Sequence, residues 1–337
     1  MATVGTAVTY LDIASRLGPD NEISPIIELT ARTNRILDDF LVVQGNLPTG
    51  HQTTVRTGLP TATWRILNYG VQPTKSITSK ISDTCGMLEA YAEVDKSLAD
   101  LNGNEPAWRL SEDQAFLESM NQSMATTLFY GNQATNPERF TGLMPRYPQF
   151  GTEASAFTVT ARNCVQAYAG ASADQTSMWL IVWGPNTVHG IYPKGSATGG
   201  FTKENLGQQT LLDSQTPAGR YEGYRTHYKW DLGLCVRDWR YAVRICNIDT
   251  SAITASVVDL FTAMTQAYHR IPSLEMGVPV FYCNSLVMVY LQIQAAAKSN
   301  AALSLLEIGG RPVVSYLGIP IRRCDALINT EALVLTI

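Results

Sequence analysis

Between Ser111 and Tyr130 the apolar positions fall at helical spacing. Leu117, Met120, Met124 and Leu128 repeat, with Ala115, Phe116 and Thr127 beside them and Glu118, Gln122 and Thr126 on the other side. Ser111 with Gln114 reads as a capping box, and Glu112 and Asp113 suit the positive end of a helix. Gly131-Asn132 offers a left-handed stop. The pattern predicts a helix over 112–130, about 28 Å long, with a narrow apolar stripe.

The rest of the chain changes period several times. Residues 1–49 read as an arm: a short segment Thr9–Ala14, a break at Gly18-Pro19-Asp20, then a helix from Ser24-Pro25 through Ile26, Ile27, Leu29, Ile36, Leu37, Phe40 and Leu41. Over 50–73, β-prone runs Thr53–Thr57 and Thr61–Leu67 flank Gly58-Leu59-Pro60 and predict a hairpin. An isolated hairpin is barely stable in water, so it needs a surface to lie on. A strand from Cys85 to Asp95, a short helix near Lys96–Leu101 and a turn at Asn102-Gly103-Asn104 follow.

A second unit begins near 151, with a short strand at Phe157–Val159. The continuous apolar run Thr176–Gly184 predicts a strand covered on both faces. Residues 221–248 alternate at period two: Trp239, Tyr241, Val243 and Ile245 against Asp238, Arg240, Ala242 and Arg244, with a turn expected at Asp231-Leu232-Gly233. Helices over 251–270 and Ser285–Lys298, a strand over 278–284 and further strands to the end complete an α+β reading.

Charge adds one point. Charged residues are 16% of the 337, against a usual figure of roughly 25%. Charge depletion is what subunit interfaces show. The net charge of −4 argues against tight nucleic-acid binding, which needs clustered cations. Arg237, Arg240 and Arg244, then Arg322-Arg323, are the densest basic sets. No run approaches a membrane span, and no secretory leader is read in the first residues.

Candidate chemistry is sparse. The six cysteines lack C-x-x-C spacing, so reduced, buried thiols are expected and no metal or cofactor. Gly195–Lys203 has the glycine spacing of a phosphate loop, but Phe201 stands where the lysine belongs, so a flexible loop is expected. Glu89, Glu93 and Asp95 read as one exposed strand face. His189 is the best enzyme candidate by position among four histidines.

Three segments carry a resemblance: Tyr130–Leu143 (YGN-x-x-x-x-PE-x-F-x-GL), Gly233–Asp249 (GL-x-VRDWRY-x-VRI-x-NID) and Tyr316–Val334 (YLGIPIRRCDAL-x-NTEALV). In this order they resemble major capsid proteins of tailed double-stranded DNA phages, which share the Hong Kong 97-type fold. The resemblance implies an N-terminal arm (1–49), an extended E-loop (50–73) and a peripheral domain (74–150) with spine helix 112–130. It further implies an axial domain (151–215 and 251–337) and long peripheral strands (216–250).

It implies a structural protein assembling as pentamers and hexamers of an icosahedral head around DNA, inside the host bacterial cytoplasm and then in the virion. Portal and scaffolding proteins are the expected partners, a decoration protein a further one, and packaged DNA a weak non-specific one. Inter-subunit contacts are expected from Arg56, Leu59, Trp64 and Arg65 on the E-loop, and from Arg237, Asp238, Arg240 and Arg244 on the peripheral domain. Relatives that cross-link covalently use an E-loop lysine; residues 50–73 have none, Lys75 and Lys80 following, so no cross-link is expected. Encapsulin shells share the fold and are the first alternative. A soluble hydrolase using His189 or His227 is the second.

Overall fold

A computed structural model describes residues 32–100, 105–151, 159–168, 174–196, 198–212, 219–254, 258–297, 303–308 and 311–335. Its centre is strand β5 (Gln175–Trp183), every residue of which is buried. The continuous apolar run TSMWLIVW fits that position, because both faces are covered. Antiparallel neighbours β9 (Ala242–Asp249) and β10 (Val278–Cys283) flank it. Beyond them lie β4 (Cys164–Gln166), paired to β9, and β13 (Ile319–Arg323), paired to β10. Helices α4 (Thr250–Thr254), α5 (Leu260–Arg270) and α6 (Ser285–Ala297) pack on this layer. The helix expected over 251–270 is thus two; Asp259 caps the second, accepting from Phe261 and Thr262 backbone N–H groups, and residues 255–257 lie outside the described set.

β12 (Arg311–Tyr316) joins β11 (Leu303–Ile308) to β13, and the turn into β13 is the pair Leu317-Gly318. Both residues have positive φ, 48° and 80°, as a two-residue primed hairpin turn requires. The Tyr-Leu-Gly-Ile-Pro signature is that turn.

The same sheet continues through β6 into a long antiparallel ribbon. β8 (Arg220–Val236) runs between β3 (Ile77–Asp95) and β7 (Phe201–Leu212). The turn expected at Asp231-Leu232-Gly233 is absent; β8 passes straight through, pairing next with β6 (Val188–Tyr192). Alternation at period two decides its faces. Ala90, Ala92 and Tyr228 face helix α3 (Glu105–Tyr130), where Met120 packs on Ala92 and Tyr228. On the opposite face, Glu89 meets Lys229 and His227, and Glu93 meets Arg225 at 2.5 Å. The acidic trio is therefore a cross-strand ladder, with Asp95 capping the short helix α2 (Lys96–Ala99). The turn expected at 102–104 and the strand at 157–158 lie outside the described residues, and Val159 opens a single 3-10 turn.

α3 has 26 residues, about 39 Å, and starts six residues before Ser111. Pro106 suits the first turn, and the Trp-Arg-Leu that follows continues the helix readily, so the Ser-Glu-Asp triplet lies inside it. Its buried stripe is Met120, Met124, Ala125, Leu128 and Phe129, while Leu117 points outward. The larger of these side chains contribute about 1.5–3 kcal/mol each on burial. Gly131 ends the helix for a reason other than a left-handed turn. Its φ is not positive, but a Cβ there would lie 2.5 Å from the Phe140 carbonyl oxygen. Gly142 is equally tight against Thr127, and its N–H donates to the Gly131 carbonyl. The Gly131…Phe140-x-Gly142-Leu143 signature wraps the chain back over the helix end.

The N-terminal helix expected through Leu41 shrinks, among the described residues, to one turn, α1 (Ile36–Asp39). The chain then forms strand β1 (Val42–Gln44), parallel to β6. Phe40 is the anchor: its ring meets Trp183 edge-on at 5.2 Å and lies over Gly190, where a Cβ would come within 2.1 Å of it.

Candidate assembly surfaces

β2 (Gly50–Gly58) pairs with the first half of β3, from Gly50↔Thr84 to Gly58↔Ile77. This two-stranded ribbon carries a tip of residues 59–76 without helix or strand. The first predicted strand is present, but Thr61–Leu67 is not a strand. The run has β propensity and no neighbour to pair with; the returning strand is the polar stretch 77–84. Lys75 and Lys80 therefore lie on the hairpin, so the premise that it has no lysine does not hold.

The tip is apolar and open. Trp64 is fully exposed at 103%, Leu59 is 80% exposed, and Ile66, Leu67 and Tyr69 are above 70%. Arg56 and Arg65 stand exposed among them. Monomers rarely leave such a patch uncovered unless it docks. The loop is not shapeless: Thr74 hydroxyl donates to the Thr61 carbonyl, and a turn at Asn68 (φ 71°) is closed by Tyr69 N–H to Ile66.

The second predicted set divides. Arg237 and Arg240 are exposed. Arg237 donates to the Asn186 side chain, and Arg240 pairs with Asp238 two residues away in a 3-10 turn (Trp239–Tyr241). No charged ladder runs along 238–244, because period two breaks at that turn. Arg244 is 1% exposed and turned into the core, so its expected role as an inter-subunit contact is withdrawn. Its guanidinium donates to Ser177 Oγ (3.1 Å), the Tyr147 carbonyl (2.9 Å) and Glu331 (2.9 Å), above the Trp179 ring. Glu331 is just as buried. Its carboxylate also accepts from Tyr130 (2.5 Å) and from the Ser177 hydroxyl. Nearby, Asn247 bonds the Val334 backbone at both its amide oxygen and nitrogen.

Tyr130, Arg244 and Glu331 come from the three signature segments in turn. The segments are scattered in sequence but meet at one buried ion pair. It holds the end of the spine helix, the central sheet and the C-terminal segment together.

The histidines sit in unlike places. His227 stacks on Tyr91 at 4.4 Å in the surface ladder. His189 is 1% exposed on β6 beside Cys235 of β8 and His51 of β2. Burial, then His51 and Arg237, push its pKa down to about 4. Spacing rules did not find this trio, since it forms only when three strands pair. All six cysteines are free thiols, five of them buried.

The sequence model described as major capsid protein GP7 matches residues 18–335. A solved chain of bacteriophage epsilon15 is 37% identical, with 99% of each chain covered and a TM-score of 0.77. The capsid of a gene transfer agent particle is 12% identical over 67% of this chain and 95% of that one, TM-score 0.40. The SrpI encapsulin of Synechococcus elongatus is 10% identical over 67% and 91%, TM-score 0.41. These two are too distant to carry weight. Curated protein sequences gave no match. The fold is the Hong Kong 97-like fold of tailed-phage shell subunits, and its role is structural rather than enzymatic. The chain belongs to the major capsid protein GP7 family.

Proposed function

We propose that this capsid protein closes into an icosahedral head of pentamers and hexamers, with the ribbon 50–84 lying over the neighbouring subunit. The observation that carries this is the fully exposed Trp64, set among the exposed Leu59, Ile66, Leu67 and Tyr69 at the tip of the ribbon, far from the root where it packs on its own chain. Burying these side chains against a neighbour stabilises each contact by about 1.5–3 kcal/mol per residue, repeated at every copy. Arg56 and Arg65 set the orientation through acidic partners on the next subunit, and Arg237, Asp238 and Arg240 serve as a polar rim of the peripheral domain. Portal and scaffolding proteins, a decoration protein and weakly held double-stranded DNA complete the set of partners, with assembly in the bacterial cytoplasm.

Replacing residues 59–76 by a two-residue turn tests the reading. The subunit keeps its circular dichroism spectrum and its unfolding midpoint, and forms no shells by electron microscopy or sedimentation. Normal shells from this deletion overturn the role of the tip. Trp64→Ala is the milder form and lowers shell yield in the same direction.

A further inference from the structure

The root of the ribbon brings together three groups that the shell architecture does not use. His51 lies on β2, His189 on β6 and Cys235 on β8. His189 and Cys235 are directly opposite in the antiparallel register. One ligand atom from each of the three lies within 4.8 Å of the others. The two imidazoles meet edge-on, 5.9 Å between centroids. A tetrahedral zinc ion, with bonds of about 2.0–2.1 Å to nitrogen and about 2.3 Å to sulfur, needs ligand atoms roughly 3.3–3.7 Å apart. Side-chain rotation of about an ångström closes that difference.

One orphaned atom points to a ligand. His189 is buried, yet its Nδ1 has no hydrogen-bond partner. Asp83 faces His51 across the β2–β3 pairing. One of its oxygens is held by Arg146 at 2.8 Å, and the carboxylate also faces the Cys235 thiol, whose proton it helps to hold. Buried polar atoms are paired in nearly all native structures, so an unpartnered imidazole nitrogen aimed at a thiol and a second histidine calls for a reason.

We propose that His51, His189 and Cys235 bind a zinc-type divalent cation that pins the ribbon root to the body of the subunit. Two imidazoles and a thiolate are a borderline-soft set, which selects zinc over magnesium or calcium. The fourth position falls to water, with the Asp83 carboxylate beside it as balancing charge. Cys235 is a neutral thiol, its pKa pushed up by burial and by Asp83. Binding replaces its S–H bond by an S–metal bond and releases one proton to solvent. His51 Nδ1 accepts a 3.3 Å bond from the Asn46 N–H. Whichever nitrogen ligates, that long bond is given up. The ion would tie three strands at the hinge of the ribbon, so it would fix the angle at which the tip leaves the body.

Cobalt(II) titration of the purified full chain, kept reduced and metal-free beforehand, tests the site without reference to shells. The expected result is one saturating equivalent, a near-ultraviolet thiolate-to-cobalt charge-transfer band, visible bands of tetrahedral intensity, and displacement by zinc. Cys235→Ser abolishes the charge-transfer band. His51→Gln, at a half-buried position that leaves the core intact, weakens binding by roughly 100-fold with an unchanged circular dichroism spectrum. A folded wild-type chain that shows no charge-transfer band in excess cobalt overturns the proposal. So does binding that survives both substitutions unchanged. Neither result touches the capsid reading, which rests on the family and the tip.

Discussion

Glu331→Ala is the perturbation that bears most on how this subunit holds together. The substitution removes the carboxylate that receives Arg244, Tyr130 and Ser177, and it does so at a side chain 2% exposed. Arg244 keeps Ser177 Oγ and the Tyr147 carbonyl but loses its counter-charge. Removing one partner of a buried pair destabilises by about 3–5 kcal/mol. The Tyr130 hydroxyl keeps the Ile328 N–H as a donor but no acceptor, a further cost of about 1 kcal/mol or more. The expected loss is therefore about 4–6 kcal/mol, against about 5–15 kcal/mol of stability for a typical domain. Urea unfolding of unassembled subunits reads it, with fluorescence of Trp179 beside the guanidinium as the probe. The double variant Arg244→Met with Glu331→Leu recovers most of the loss, because no charge is then buried. A loss below about 1 kcal/mol for Glu331→Ala, or a double-mutant cycle that is merely additive, would refute the reasoning.

Alkaline pH attacks the same core by another route. Burial pushes the thiols of Cys164, Cys283 and Cys324 up to about 12 and that of Cys246 up to about 11. The folded state keeps these protons above pH 9 while the unfolded chain releases them, so stability falls between pH 9 and about 11–12. The slope approaches about 1.4 kcal/mol per pH unit for each thiol. Unfolding measured at pH 8 and pH 10 under reducing conditions shows the drop, and Cys283→Ala makes the slope shallower; equal stability at both pH values contradicts it. Gly190→Ala displaces the Phe40 ring and destabilises by about 1–3 kcal/mol, while Gly70→Ala, with nothing within 4 Å of its Cβ, changes stability by less than about 0.5 kcal/mol. Denaturant midpoints of the two variants check the contrast.

What could be read along the chain was what local patterning determines. β5 was legible because burial on both faces leaves an unbroken apolar run over its last six residues, Met178–Trp183. Most of the spine helix was legible from its stripe. The ribbon was half legible. β2 has β propensity, but its partner 77–84 is rich in Ser, Thr and Lys, and only pairing makes it a strand. The more hydrophobic Thr61–Leu67 drew the reading instead. Arg244 shows the opposite failure. Arginines at period two suggest an exposed face, yet β9 is buried on both sides and the arginine's partner lies 87 residues away. The one local hint was its setting among Val243, Ile245 and Cys246, with no carboxylate nearby to share a surface. The trio at the ribbon root left no trace in spacing, because its members sit on three strands that meet only in the folded sheet.

The meeting of Tyr130, Arg244 and Glu331 bears on inheritance. A crossover between two related capsid genes that falls between codons 130 and 331 would combine halves of one buried lock taken from different parents. Where the parents differ at any of the three positions, the hybrid subunit would carry an unmatched charge in its centre. Exchanges confined to the stretch encoding the ribbon tip separate none of the three. Hybrid genes recovered by selection should therefore have their junctions concentrated around that stretch, leaving the tip free to change neighbours while the lock passes on whole.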